Sequence, residues 1–159
     1  VKKQQMNYAF GIIVTLFVFL FMELVAWFTH KYVMHGFLWK LHKDHHDHSN
    51  KTPFEKNDYF FLIFAIPGFL NIFFGLNDIT APYFWIGLGI TFYGAAYFFI
   101  HDLFIHQRIK VLRNTTNPYL LNLRRAHKVH HKSLAKSGGE SFGMLLLIKY
   151  KSRKVLKKH

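Results

Sequence analysis

Apolar residues in this chain gather into long unbroken runs, and charged residues crowd the segments between them. A helix needs roughly 20 apolar residues to cross a bilayer, and three runs come close to that length. The first covers residues 8–29, with Glu23 as its one charge. The second, 59–76, contains Pro67, Gly68 and Asn71, which predicts a kink near its middle. A short turn at 77–81, closed by Pro82, leads to the third run at 83–100, whose helical pattern extends toward Arg108. None of the three shows a polar face, which separates them from the core helices of a soluble bundle. A last run, 142–148, is too short to span and reads as an interfacial or re-entrant piece. The first run is also too long for a cleavable signal, and no small-residue cleavage site follows it. The pattern predicts a single-domain, all-α integral membrane protein, a bundle of three or four transmembrane helices.

Charge orients the bundle. Of 21 Lys and Arg, Lys2 and Lys3 precede the first run, and the other 19 fall within 31–56 and 108–158. The turn at 77–81 has none. By the positive-inside rule both basic segments face the cytoplasm, so the expected location is the inner (plasma) membrane. A net charge of +13 in 159 residues first suggests nucleic acid. That reading fades once the apolar runs are seen, because the basic residues flank membrane spans and leave no free basic face.

Against this frame the twelve His stand out. Ten form four clusters: His30 and His35; His42, His45 and His46; His101 and His106; His127, His130 and His131. All fall on the side that Lys and Arg alone assign to the cytoplasm, giving a histidine-rich cap. The order also repeats, His-x4-His followed by His-x2-His-His, twice, as expected of two half-sites that face each other. On a regular helix His-x2-His-His spreads its rings over an arc of about 100°, which can wrap one metal or straddle two. The rings of His-x4-His lie about 140° apart, too far to meet on one ion. Either they serve different metals or the helix loosens into a π-like turn. Both outcomes favour a dinuclear site, as does the number of imidazoles. With no Cys, a site for transition metals must be built from imidazole and carboxylate. His48 is expected to be solvated or peripheral, and His159 uninvolved.

A ligating His usually passes its second N–H to an acceptor that fixes the ring. Candidates near the clusters are Asp58, Asp102, Asn57 and Glu140, with Asp44 and Asp47; Asp58 also suits helix capping, and Asp44 and Asp47 surface solvation. Glu23 lies seven residues before His30, on nearly the same helix face. An ionisable group there either holds a hydrogen bond inside the bundle or lines a route to the metals.

The motifs resemble those of the membrane-bound fatty-acid hydroxylase and sterol desaturase superfamily, in particular its carotenoid branch. They are HKYVMHG at 30–36, LHKDHH at 41–46, FEKNDYF at 54–60, WIGLGITFYGAAYFFIHDLFIHQR at 85–108, RRAHKVHH at 124–131 and ESFGMLL at 140–146. After SFG, where related chains continue with an aromatic residue and prolines, this chain reads MLLLIKYK. The resemblance implies a di-iron centre held by the ten His, with Zn able to substitute. It also implies O2-dependent hydroxylation at C3 of a β-ionone ring, β-carotene passing by way of cryptoxanthin to zeaxanthin. The substrate would arrive from the lipid and the electrons from a ferredoxin-type donor. No dinucleotide-binding motif is present, which agrees with reducing power from a partner. Alternatives are a hydroxylase or desaturase of fatty acyl or sterol substrates, a metal transporter or sensor, and a membrane haem protein. Transporters place ligands near mid-membrane in broken helices, unlike these interfacial clusters.

Overall fold

The computed structural model describes residues 7–47 and 54–146. His48, His159, Lys2, Lys3 and the end of the 142–148 run lie outside the described residues. Five α-helices are joined by three tighter or looser helical segments, and there is no strand among the described residues.

Helix α1 (Tyr8–Phe28) starts at Asn7, whose side chain accepts from the Phe10 N–H at 2.8 Å. It continues directly into a π-helical segment, Thr29–Phe37, and a short helix α2 (Trp39–His46) follows. A single 3-10 turn at Lys56–Asp58 opens α3 (Tyr59–Gly75), which runs unbroken past Pro67. Helix α4 (Pro82–Phe98) begins with proline at its first turn and passes into a second π-helical segment, Phe99–Ile105. The last helix, α5 (Pro118–His130), is capped by Asn117, which accepts from the N–H groups of Tyr119 and Leu120.

Three stretches are long and apolar enough to cross a membrane: Tyr8–Phe37, Lys56–Gly75 and Pro82–Ile105. They overlap the runs expected at 8–29, 59–76 and 83–100, but the first and third run on through the π segments, which carry His30, His35 and His101. Only 17–22% of each span is buried within the protein. The remaining Phe, Leu and Ile side chains therefore need lipid around them.

Helix α4 is the centre of the bundle and packs against both α1 and α3. Two of its glycines make this possible. A Cβ at Gly87 would lie 2.8 Å from the Ile72 nitrogen of α3, and one at Gly89 would lie 2.8 Å from the Thr15 carbonyl oxygen of α1. Small residues that let backbones close in are how helices associate where lipid removes the hydrophobic incentive. Thr15 adds a hydrogen bond from its hydroxyl to the Trp85 carbonyl at 3.0 Å.

The buried apolar core is small and sits at the histidine end. Phe104, Ile105, Leu123 and Met144 join the end of the third span to α5 and to the returning chain at 144. The last carbonyls of the second π segment are closed by side chains. Gln107 donates to the Phe104 carbonyl at 2.6 Å, and Arg124 donates to the same oxygen at 3.2 Å with its guanidinium over the Phe104 ring.

Candidate metal centre

The two π segments answer the geometry of His-x4-His. In a π turn hydrogen bonds run between residues five apart, so side chains at that spacing come to one face. The His106 N–H donates to the His101 carbonyl at 2.9 Å, and the ring centroids of His30 and His35 are 5.3 Å apart, those of His101 and His106 4.6 Å. Of the two expected outcomes, the loosened turn is the one observed.

All ten clustered histidines meet at one end of the bundle. They form two groups, each able to hold a metal ion: His30, His35, His42, His46 and His130; and His45, His106, His127 and His131, with the ligand atoms of each group within 4.8 Å of one another. His101 adjoins the second group, its Nε2 3.1 Å from that of His45. The assignment is reciprocal. In each His-x2-His-His the outer two rings, one helical turn apart, stay with their own half of the chain, while the middle ring crosses. His45 joins the second half's group and His130 joins the first's. The motifs straddle two positions.

Hydrogen bonding behind the rings fixes their direction. Nδ1–H of His30 donates to the Phe142 carbonyl (3.1 Å), of His35 to the Lys136 carbonyl (3.0 Å), of His46 to the Ser133 carbonyl (2.9 Å) and of His130 to the Glu140 carbonyl (2.8 Å). His42 donates to Asn57 Oδ1 (2.7 Å), His45 to Glu55 Oε2 (2.6 Å) and His101 to Asp102 Oδ2 (3.1 Å). The Nε2 atoms therefore point inward as lone pairs. His30 and His42 approach to 3.2 Å, His35 and His130 to 3.2 Å, and His46 and His42 to 3.1 Å, Nε2 to Nε2.

Two lone pairs at that distance repel unless a proton or a cation lies between them. A proton is disfavoured. Burial pushes His42 down to about 2 and His130 down to about 3, with repulsion from neighbouring rings adding to it. His45, His127 and His131 are lowered for the same reasons. Neutral, buried, convergent imidazoles are a donor set for a metal ion.

Aromatic rings seal the site. Phe142 stands edge-on to His35 and His130 at 5.2 Å, Trp39 lies 5.0 Å from His35, and Tyr97 stacks on His101 at 5.0 Å.

The other candidates divide. Asn57 and Asp102 each hold a ring, as described. Glu140 reaches His130 through its backbone carbonyl, and its side chain is exposed. Asp58 touches no ring among the described residues. It caps the Lys56–Asp58 turn by accepting from the Glu55 N–H at 3.0 Å and pairs with Arg108 at 2.7 Å. Asp44 accepts from the Lys56 N–H at 2.6 Å. Glu23 makes hydrogen bonds inside the bundle: its carboxylate accepts from the Tyr93 hydroxyl at 2.8 Å and from the N–H groups of Met144, Leu145 and Leu146 at 2.9–3.0 Å.

Two residues escaped the sequence reading. Glu55 holds His45, and Arg108 reaches Asp58, Asp102 (3.0 Å) and Glu55 (3.6 Å). Burial raises the Glu55 carboxyl, and Arg108 opposes that rise. The signal for Glu55 was its spacing three before Asp58, a capping-box pattern.

Comparison with known proteins now decides the family. A family model described as fatty acid hydroxylase matches residues 15–148. The chain belongs to the fatty acid hydroxylase family. Its relatives in that family include a beta-carotene hydroxylase of Pantoea ananas, 41% identical over 78% of this chain and 70% of the relative. A beta-carotene hydroxylase of Paracoccus sp. (strain N81106 / MBIC 01143) is 38% identical over 79% of this chain and 77% of the relative. A chloroplastic beta-carotene 3-hydroxylase of Haematococcus lacustris is 41% identical, the match covering 79% of this chain and 39% of that longer protein. No solved structure matches the chain. The protein is thus an enzyme of the fatty acid hydroxylase family with buried histidine groups able to bind metal.

Proposed function

We propose that this enzyme is a β-carotene 3-hydroxylase that uses O2 and two irons held by the ten histidines to convert β-carotene to zeaxanthin through cryptoxanthin. The observation that carries the metal half is the set of paired Nε2 lone pairs in rings whose Nδ1 atoms are tied to acceptors. The substrate half is supported by relatives named as beta-carotene hydroxylases on both the bacterial and the chloroplast side.

Bound iron would supply O2 activation and the oxidising equivalents for breaking a ring C–H bond. The chain's own residues do the rest. His30, His35, His42, His46 and His130 would hold one ion, and His45, His101, His106, His127 and His131 the other. Asn57, Glu55, Asp102 and the carbonyls of Phe142, Lys136, Ser133 and Glu140 keep seven of the ten rings aimed inward. Phe142, Trp39 and Tyr97 exclude water from the ring cluster. A polyene dissolved in lipid would approach between the spans, with its ring end at the metals.

Pigment analysis of cells that accumulate β-carotene tests the reading. Expression of the chain is expected to produce zeaxanthin and cryptoxanthin, and unchanged β-carotene would overturn the substrate. Electrons come, in this proposal, from a ferredoxin-type protein at the cytoplasmic face. The basic segments around the site would steer such an acidic carrier by long-range attraction. Its reduction rate is accordingly expected to fall steeply between low and physiological ionic strength in stopped-flow traces; a salt-independent rate would remove the steering argument.

A further inference from the structure

The chain contains eight carboxylates, all among the described residues, and they are distributed unevenly about the two histidine groups. Every oxygen seen behind a ring of the first group is neutral: the carbonyls of Phe142, Lys136, Ser133 and Glu140, and the amide of Asn57. Both carboxylates hydrogen-bonded to a ring among the described residues, Glu55 and Asp102, serve the second group, through His45 and His101. We propose that the two metal positions are therefore unequal, the second being the stronger donor set and the tighter, more electron-rich site.

A carboxylate drawing on the Nδ1 proton gives imidazole part of the character of its anion, so Nε2 becomes a better donor. A carbonyl or amide oxygen orients the ring without that charge. The local charge points the same way. Glu55, Asp58 and Asp102 surround a single guanidinium, Arg108, which leaves a net negative charge beside the second group. Negative charge behind a ligand favours a bound cation, and favours the more highly charged form of a redox metal. Arg108 acts as a positioning residue here. Its Nε and Nη2 engage Asp102 and Glu55 from one rigid plane, which holds both carboxylates against the rings they orient. The first His-x2-His-His offers a built-in control: Asn57 stands behind His42 where Glu55 stands behind His45, so one substitution at each position exchanges the difference.

The inference rests on the two-metal reading and is separable from it. The full chain in detergent is loaded with Zn(II), titrated with a chelator, and its retained ions counted by elemental mass spectrometry. Wild type is expected to release its ions at two distinct midpoints. Glu55→Gln is expected to lower the higher midpoint by about 10–100-fold in affinity. Asn57→Asp is expected to raise the lower one toward it, and this arm decides the matter should the Gln variant misfold. Release of both ions at one midpoint, a Glu55→Gln effect on the weaker ion, or an unmoved lower midpoint in Asn57→Asp would each overturn the proposal. Fewer than two ions in wild type would instead remove the two-metal reading.

Discussion

Replacing His130 with alanine is expected to eliminate detectable hydroxylated product and to lower the bound metal from about two ions per chain to one or none. His130 belongs by sequence to the second half of the chain but by position to the first group, where its Nε2 faces that of His35 at 3.2 Å. Its loss therefore opens the first position. It also leaves the Glu140 carbonyl without its ring donor. His45→Ala should open the second position in the mirror sense. Glu140→Ala provides the contrast, because the acceptor for His130 is a backbone oxygen that alanine retains. That variant is expected to keep its metal and its activity. Elemental analysis beside product assay reads all three. A His130→Ala protein with both ions and full turnover would mean that the crossing ring is not a ligand.

That crossing could not be read from the motif. By spacing alone His-x2-His-His can wrap one metal or straddle two, because an arc of about 100° permits both. The choice depends on where α5 lies relative to α2, and no local pattern encodes that contact. The spans were legible because bilayer thickness imposes a length and lipid removes any polar face, so apolar runs alone carry the information. That the histidines share one end was legible because all four clusters fall in or beside the two segments between and after the apolar runs. What stayed hidden was partnering by backbone. Four of the seven ring acceptors seen are carbonyl oxygens, of Phe142, Lys136, Ser133 and Glu140, which residue identity does not advertise. Glu140, a candidate by its carboxylate, serves through its carbonyl. Asp58, at the entry to the second span, caps a turn there, while Glu55, three residues earlier, holds the ring.

Glu23→Ala is expected to be the most destabilising single change in the first span, by at least about 3 kcal/mol, since each buried donor left without an acceptor costs about 1–3 kcal/mol. The carboxylate is 2% exposed and receives three consecutive backbone N–H groups, those of Met144, Leu145 and Leu146, together with the Tyr93 hydroxyl. It fastens a segment without helix or strand to α1, and Met144 of that segment joins the Phe104 and Leu123 core at the histidine end. Two residues earlier in that segment, Phe142 directs His30 through its carbonyl and covers His35 and His130 with its ring. Loosening at Glu23 should thus travel to the metal centre. Chelator titration of the alanine variant is expected to show weaker metal retention by about 10–100-fold, the range for losing a partner behind a ligand. Glu23→Gln keeps one oxygen for the amides but turns an NH2 group toward the remaining donors, so it should fall between alanine and wild type. Thermal unfolding in detergent and proteolysis near residue 144 would read the effect on the segment. An alanine variant that melts with wild type and keeps its C-terminal segment protected would show that the packing of Met144 and Phe142, without the carboxylate, suffices to hold the returning chain.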